Sequence, residues 1–262
     1  MAKKDRYAQG EFSWMELTTT DVKKAKSFYG DLFGWTFDDM PAGPGMTYSM
    51  GKLGNEHVCG LFEMGPEMAA AVPPHWASYV TVEDVDAVTK KAAANGAKVH
   101  KEPFDVMDVG RMSVLEDPTG AMFCLWQAKK HIGAGVKNEP GALCWNELLT
   151  TDPAAAAKFY TSTLGWTTEV VDMGPGGKYT LLNAAGVPNN VGGMTPIPAA
   201  MKGAPSHWTV FVEVEDCDAS TKKANDLGAK TVSPPTDIPN IGRFSIIQDP
   251  TGASIALYKN AH

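Results

Sequence analysis

Residues 14–21 (WMELTTTD) and 145–152 (WNELLTTD) decide the fold, because they are near copies placed 131 residues apart. The copy continues farther along the chain, where HWASYVTVEDVDA at 75–87 returns as HWTVFVEVEDCDA at 207–219. Self-similarity that stays in register from one end of a chain to the other is typical of repeated structural modules. The sequence therefore predicts two copies of one module.

Each copy alternates between the periods of a strand and of a helix. Apolar alternation before Thr20 predicts a strand, and Thr20 or Asp21 then caps a helix that ends at Gly34. A second strand at 76–82 leads into a helix that starts at Asp84 and stops at Asn95. Each module is predicted to contain two βαβββ units, an α+β fold with a curved mixed sheet and helices on its outer side. Further strands are predicted near 35–38, 46–52, 57–63, 97–100, 109–115 and 121–128.

The segment between the copies has a different character. Residues 129–140 combine glycines with Lys, Asn and Glu and show no sustained periodicity, which is typical of a linker. The predicted organisation is a first module at 7–128, a linker at 129–140 and a second module at 141–262.

Composition excludes several classes of function. The formal charge of −7, from 23 basic and 30 acidic residues, offers no basic field for nucleic acid. No apolar run approaches the length of a membrane span. The four cysteines form no CxxC pair, so we interpret them as reduced thiols. Residues 1–6 are charged and precede no apolar leader, which predicts a cytoplasmic protein without a secretory signal.

Three recurring motifs together resemble those of a known superfamily. They are Phe-Tyr with Gly-Trp at 28–35, the VxVEDxDA passage at 80–87, and Gly-Arg followed by DPTGA at 110–121, all repeated in the second copy. This pattern resembles the vicinal oxygen chelate superfamily, which includes glyoxalase I, bleomycin-resistance proteins and extradiol dioxygenases. The resemblance covers nearly the whole chain twice. It implies that each curved sheet forms a cup holding either a metal with its substrate or a ligand alone, and it implies a site rather than a reaction.

The resemblance also implies where a metal would be held. The metalloenzymes of the superfamily use side chains on the first, fourth, fifth and last strands of a module. An indole cannot ligate a metal, and a divalent ion needs several oxygen or imidazole donors. Aligned on the helix-start aspartates, these slots supply neither a carboxylate nor an imidazole, which predicts that no metal and no other cofactor is bound. The slots fall on Trp14, Gly60, Ala77 and Cys124, and on Trp145, Gly193, Thr209 and Ala256.

A shift of two residues keeps the same strand face and changes the donors. It places Glu16 and Glu147 in the cups, where His75 or His207 would complete a substitute ligand set. The metal alternative therefore stays open.

We favour a structural explanation for these glutamates. A buried charge is costly unless it is paired. Arg111 and Arg243 repeat together with Glu16 and Glu147. The sequence therefore predicts a glutamate–arginine ion pair in each module.

Three tryptophans occupy positions expected to face the cups. Trp14, Trp126 and Trp145 could stack on a planar ligand, or they could belong to the core, and both interpretations stay open. Aromatic and small residues at the metal slots would shape a pocket and exclude water from it, which favours ligand binding.

Histidines and one cysteine offer further chemistry. His75 and His207 could contact a ligand or act as general bases, but we favour strand-entry histidines bonded to backbone. Cys124 could be a nucleophile, although Ala256 takes its place in the second copy, so an inert buried thiol is favoured.

These observations predict a binder of a small, planar or aromatic organic molecule in metal-free cups, with no catalytic residue assigned. The alternatives are a metal-dependent glyoxalase-like lyase or dioxygenase with non-standard ligands, and a protein in which one cup is purely structural. The expected partner is a small molecule, and the chain is expected to be a monomer or a homodimer. The candidate ligand-binding residues are Trp14, Glu16, His75, Tyr79, Arg111, Cys124, Trp126, Trp145, Glu147, His207, Phe211 and Arg243.

Overall fold

The computed structural model describes residues 3–43, 45–174 and 177–261. Two parts of the sequence predictions lie outside these ranges: residues 1 and 2 of the charged segment 1–6, and residue 262 at the predicted end of the second module. Within the described residues, each module forms one eight-stranded sheet. The predicted α+β architecture of two tandem modules, each made of two βαβββ units, is confirmed.

The first module runs through β1 (Phe12–Thr19), α1 (Val22–Phe33), β2 (Thr36–Gly43), β3 (Met46–Leu53), β4 (Glu56–Glu63), α2 (Pro66–Ala71), β5 (His75–Thr81), α3 (Val85–Ala94), β6 (Lys98–Val106), β7 (Gly110–Glu116) and β8 (Met122–Ala128). The second runs through β9 (Leu143–Thr150), α4 (Pro153–Leu164), β10 (Thr167–Asp172), β11 (Lys178–Asn183), β12 (Gly192–Pro196), a 3₁₀ turn (Ala199–Met201), β13 (His207–Glu213), α5 (Cys217–Asp226), β14 (Lys230–Ile238), β15 (Gly242–Gln248) and β16 (Ser254–Asn260).

Both sheets have the same strand order. The first is β2-β3-β4-β1-β5-β8-β7-β6 and the second is β10-β11-β12-β9-β13-β16-β15-β14. The antiparallel pair β1 and β5 lies at the centre; β4 runs parallel to β1 on one side, and β8 runs parallel to β5 on the other. Each βαβββ unit therefore contributes one half of a sheet, and the two units meet at its middle.

Local signals set the helix ends as predicted. The Asp21 carboxylate accepts the backbone N–H of Lys24 at 2.9 Å, so α1 begins at the next residue after Asp21. Gly34 ends α1 in the left-handed conformation, with φ at 74°. Asp84 caps α3 in the same way, and Asn95 follows its last turn.

Three elements differ from the prediction. The strand expected near 35–38 extends to Gly43 as β2. The strand expected near 97–100 extends to Val106 as β6, and its ladder with β7 continues past a register shift between Lys101 and Phe104, where Pro103 lies. A proline is tolerated at such irregularities on an edge strand, and β6 is the edge of its sheet. The short helix α2 was not expected, although Pro66 at its first position is a typical helix start.

The two modules share their apolar core. One cluster combines Phe28 and Leu32 of α1 with Ala224 of α5 and Ile255 of β16. A second cluster makes the reciprocal combination of α4 with the β5–β8 half of the first module. Because α1 and α5 share one buried cluster and α4 packs with the first module in the other, the two modules fold as one body, and the opposite face of each sheet lies outside these two clusters. We call that opposite face of each sheet its cup.

Buried hydrogen bonds cross between the modules at the repeated motifs. The Tyr29 hydroxyl donates to Asp249 Oδ2 at 2.7 Å and accepts from Trp76 Nε1 at 2.9 Å. The Phe-Tyr motif of one module therefore meets the DPTG motif of the other. The same relay recurs in the opposite direction through Trp208, Tyr160 and Asp117.

Among the helices of the described ranges, none combines the length and apolar character needed to cross a membrane.

Candidate functional site

Alternating side chains of the central strands converge on the cup of the first module. Trp14 and Glu16 come from β1, Tyr79 from β5, and Cys124 and Trp126 from β8. The four apart from Glu16 are at most 6% exposed, whereas Glu16 remains partly exposed. The structure therefore brings five of the sequence-predicted residues together.

Two tyrosines hold the carboxylate of Glu16. Tyr48 donates to Oε2 at 2.6 Å and Tyr79 donates to Oε1 at 3.0 Å, while Trp14 Nε1 donates to the Tyr48 hydroxyl at 3.2 Å. Burial raises the pKa of Glu16, and the tyrosine hydrogen bonds and the nearby His75 pull that pKa back. Glu16 is thus a partly exposed carboxylate fixed by hydroxyl donors, with one on each oxygen.

Tyr48 was missed by the sequence reasoning, and Gly60 explains its position. A Cβ atom on Gly60 would overlap the Tyr48 hydroxyl and ring, so only glycine permits the ring to lie there. The second module repeats the arrangement with Gly193 beneath Tyr179. The signal in the sequence was a glycine at the fourth-strand slot together with a tyrosine repeated 131 residues apart.

The predicted ion pair between Glu16 and Arg111 is wrong. Arg111 instead donates to Asp86 on α3 at 2.7 and 2.8 Å, and it lies 3.5 Å from Asp105. Side chains alternate across a strand, and Met112 of β7 stands opposite Trp126, which faces the cup. Arg111 must therefore point to the other face of the sheet.

The second predicted pair is wrong for the same reason. Arg243 donates to Asp218 at 2.6 Å and to Asp237 at 2.7 Å rather than to Glu147. Both arginines hold helices and edge strands in place at the molecular surface, outside the cups.

The histidines lie at the cup rims, where β5 and β13 begin. His75 Nδ1 is 2.9 Å from the Pro73 carbonyl oxygen, and His207 Nδ1 is 2.9 Å from that of Pro205. These contacts agree with the favoured interpretation of strand-entry histidines bonded to backbone. Since His75 pairs with Thr18 on the cup side, its imidazole still lies close enough to influence Glu16.

Residues 131–135, which we call the inter-module segment, cover the first cup. The His131 ring packs edge-on against Trp14 with centroids 4.7 Å apart, and the His131 carbonyl accepts Trp126 Nε1 at 2.9 Å. Ala134 is fully buried in the same cluster. Burial, reinforced by the neighbouring His57, lowers the pKa of His131 to about 4. Part of the predicted linker therefore packs into the first module.

The second cup repeats the cluster with one change. Trp145 Nε1 donates to the Tyr179 hydroxyl at 2.9 Å, and Tyr179 hydrogen-bonds Glu147. Phe211 pairs with Trp145 in the second cup as Tyr79 pairs with Trp14 in the first. A phenylalanine ring therefore stands in the second cup where the first has a tyrosine with its hydroxyl. Burial raises the pKa of Glu147 to about 7, against a lowering by Tyr179. Trp145, Tyr179 and Glu147 are all partly exposed.

The donor set of the cups does not fit a resident divalent ion. Across 3–43, 45–174 and 177–261, no three His, Cys, Asp or Glu side chains are grouped so as to hold one. Each oxygen of Glu16 already accepts a tyrosine hydroxyl. Burial raises the pKa of the Cys124 thiol well above its ordinary value, which favours an inert thiol over a thiolate ligand or nucleophile.

The chain has full-length relatives. It is 44% identical over 262 residues to "Putative glyoxylase CFP32" of Mycobacterium tuberculosis, covering 100% of this chain and 99% of the relative. It is 34% identical over 270 residues to "Anthracycline biosynthesis protein DnrV" of Streptomyces peucetius, covering 96% and 94%.

Solved structures share the fold at low sequence identity. The Mn(II)-bound glyoxalase from Novosphingobium aromaticivorans superposes with a TM-score of 0.66 at 17% identity, over 97% of this chain and 83% of that one. The 2,3-dioxygenase LapB from Pseudomonas sp. KL28 gives 0.65 at 14% identity, over 97% and 94%. The family model of the Glyoxalase/Bleomycin resistance protein/Dioxygenase superfamily matches residues 11–125 and 142–257, and the chain belongs to that superfamily.

Proposed function

We propose that the protein binds a small planar organic molecule in a cup, without a metal ion. The observation that carries this proposal is a cluster of aromatic side chains around one carboxylate, without a group of three potential metal ligands among the described residues. In the second cup these groups are Trp145, Tyr179, Phe211 and Glu147. Apolar walls with a few convergent polar groups are typical of sites for small organic molecules.

The chemistry of the lining supports a flat ligand. Indole and phenyl rings offer faces for offset stacking and edges for T-shaped contacts. Phe211 and Phe244 stand with ring centroids 6.2 Å apart and planes inclined by 40°. The name of one relative places it in anthracycline biosynthesis, and anthracyclines are fused-ring aromatic compounds. The residues suit binding and orientation, and we assign none of them a catalytic step.

The second candidate is a metal-dependent lyase or dioxygenase. The name of the mycobacterial relative and the manganese in one structural neighbour favour it. It would require Glu16 to leave Tyr48 and Tyr79, or Glu147 to leave Tyr179, and the ion would find no group of three His, Cys, Asp or Glu side chains among the described residues. That exchange would leave the tyrosine hydroxyls without acceptors inside the cup, which is unfavourable.

Native mass spectrometry of protein from its own host tests the proposal. A co-purified organic molecule of defined mass is expected, together with thermal stabilisation when that molecule is added back. Trp145→Ala should lose the molecule while the circular dichroism spectrum stays unchanged. Stabilisation by Mn²⁺, Fe²⁺, Ni²⁺ or Zn²⁺, with loss of that effect in Glu147→Gln, would instead support the second candidate.

The proposal includes a cytoplasmic location and a monomer or homodimer. Among the described residues, the four cysteines carry free thiols, which suits a reducing compartment. The second module already covers the helix-bearing face of the first, so one chain supplies its own partner surface.

A further inference from the structure

The two cups differ in how their carboxylates are satisfied. In the first cup, each oxygen of Glu16 accepts one tyrosine hydroxyl, from Tyr48 and Tyr79. In the second cup, Tyr179 supplies one hydroxyl, but Phe211 stands at the position equivalent to Tyr79 and carries none. Among the residues that the structure describes, Tyr179 is the hydroxyl donor to Glu147, and the carboxylate keeps an acceptor position that no second tyrosine fills.

The two cups also differ in access. Trp14 is 4% exposed beneath the inter-module segment, whose His131 ring packs on it. Its counterpart Trp145 is partly exposed, and so is Tyr179. The indole of the second cup is therefore more accessible than that of the first cup, which the His131 ring covers.

The cup face near Glu147 is mainly aromatic. Phe211 on β13 and Phe244 on β15 lie in ring contact, and Tyr258 on β16 is held by its hydroxyl bond to the Ile241 carbonyl at 2.8 Å. A polar ligand group inserted there would meet the Glu147 carboxylate among aromatic rings, with Thr209 of β13 paired directly across from that glutamate. Burying a carboxylate without its full complement of donors is unfavourable, so a donor on the ligand would be selected.

We propose that the second cup is the ligand site, and that its ligand is a planar aromatic molecule whose O–H or N–H group donates to Glu147 in place of the missing tyrosine hydroxyl. This inference rests on the proposed function and narrows it to one cup and one class of ligand. The first cup then serves as a structural half whose own Tyr79 occupies the place of the ligand's donor.

Matched probes test the donor requirement. The probes are 2-naphthol and 9-phenanthrol, each compared with its methyl ether by isothermal titration calorimetry. We expect one phenol per chain to bind, and each methyl ether to bind at least tenfold more weakly because it has no hydrogen to donate. Phe211→Tyr should weaken the binding of both phenols at least tenfold, because the new tyrosine hydroxyl donates to the open acceptor on Glu147.

A matched control introduces the same tyrosine side chain at a position outside the cup. Val170 lies on β10 and is 60% exposed, with its side chain on the opposite face of the sheet from Tyr179. Val170→Tyr should keep the wild-type affinity for both phenols. Circular dichroism and thermal unfolding of both variants establish that they are folded, and native mass spectrometry compares the amount of co-purified molecule.

Each other result contradicts a defined part of the inference. One such result is that phenols and ethers bind with equal affinity, that Phe211→Tyr binds them as the wild type does, and that Trp145→Ala no longer binds them. It would overturn the requirement for a donor on the ligand and leave the proposed function standing. If probe binding is lost in Trp14→Ala but kept in Trp145→Ala, the ligand site is in the first cup and the choice of cup is wrong. A co-purified molecule retained at wild-type occupancy in Phe211→Tyr also contradicts the inference. No bound probe together with no co-purified molecule contradicts the proposed function itself.

Discussion

The relay between the modules predicts a large effect from the loss of one oxygen atom. Tyr29→Phe removes the hydroxyl that donates to Asp249 Oδ2 at 2.7 Å and accepts from Trp76 Nε1 at 2.9 Å. All three side chains are at most 5% exposed, so water does not readily replace the lost partner. The other oxygen of Asp249 accepts the backbone N–H groups of the DPTG turn, and it cannot also take the indole proton.

The magnitude follows from the two bonds that are broken. A hydrogen bond to a charged group contributes ~1.5–3 kcal/mol, and a buried donor left without an acceptor costs ~1–3 kcal/mol. Tyr29→Phe should therefore lower the free energy of unfolding by about 2.5–6 kcal/mol. Tyr160→Phe should lower the free energy of unfolding by about the same amount, because both hydrogen bonds of the second relay are 2.9 Å long.

Urea denaturation followed by tryptophan fluorescence measures this difference. Tyr258→Phe is the matched control, since its hydroxyl makes one neutral bond, 2.8 Å to the carbonyl of Ile241, at a partly exposed site. The control should cost about 0.5–1.5 kcal/mol. If Tyr29→Phe is no more destabilising than Tyr258→Phe, the relay does not hold the modules together and the reasoning is refuted.

Three further perturbations test the cups. The pKa of Glu147 is raised to about 7 from 4.5, so its favourable contribution to stability is complete below pH 4.5 and disappears as the pH rises through 7; Glu147→Gln should abolish that decline in urea titrations between pH 4 and 8. The pKa of His131 is lowered to about 4 from 6.5, so stability should fall as the pH drops from 6.5 towards 4, and an NMR titration midpoint near 6.5 would contradict its burial. Gly60→Ala should cost about 1–3 kcal/mol by displacing Tyr48, whereas Gly65→Ala, which meets no neighbour, should be near neutral in thermal unfolding.

The repeat and the local signals were sufficient to predict the architecture. Self-similarity indicated two modules, and side-chain capping at Asp21 and Asp84 set two helix starts. These features depend on residues that are close in sequence. The contact between Tyr29 and Asp249 joins residues 220 positions apart, so the sequence showed a turn motif and a helix motif without indicating that they meet.

The candidate site was predicted in part. Strand alternation correctly grouped Trp14 and Glu16 with residues of β8, because parity along a strand fixes the face. The same rule, applied to Arg111 and its cup-facing neighbour Met112, would have excluded the predicted ion pair. The predicted pairing depends on two acids and two arginines that repeat together, whereas the actual donors to Glu16 are neutral hydroxyls on other strands.

Tyr48 and the inter-module segment required the three-dimensional structure. Tyr48 reaches Glu16 because β3 pairs with β4 and Gly60 leaves room for the ring, which depends on the register between strands. The inter-module segment resembled a linker because it has no periodicity, yet Ala134 is fully buried against the first cup. Irregular backbone can be part of a core without any pattern that sequence periodicity detects.

Metal content measured by inductively coupled plasma mass spectrometry tests the central claim most directly. Protein incubated with Mn²⁺, Fe²⁺, Ni²⁺ and Zn²⁺ and then freed of unbound ions should retain far less than one ion per chain. Glu16 and Glu147 bond tyrosine hydroxyls, and within 3–43, 45–174 and 177–261 no three His, Cys, Asp or Glu side chains are grouped to hold an ion. One tightly held ion per chain that disappears in Glu16→Gln or Glu147→Gln would contradict the account and establish a metal site in that cup.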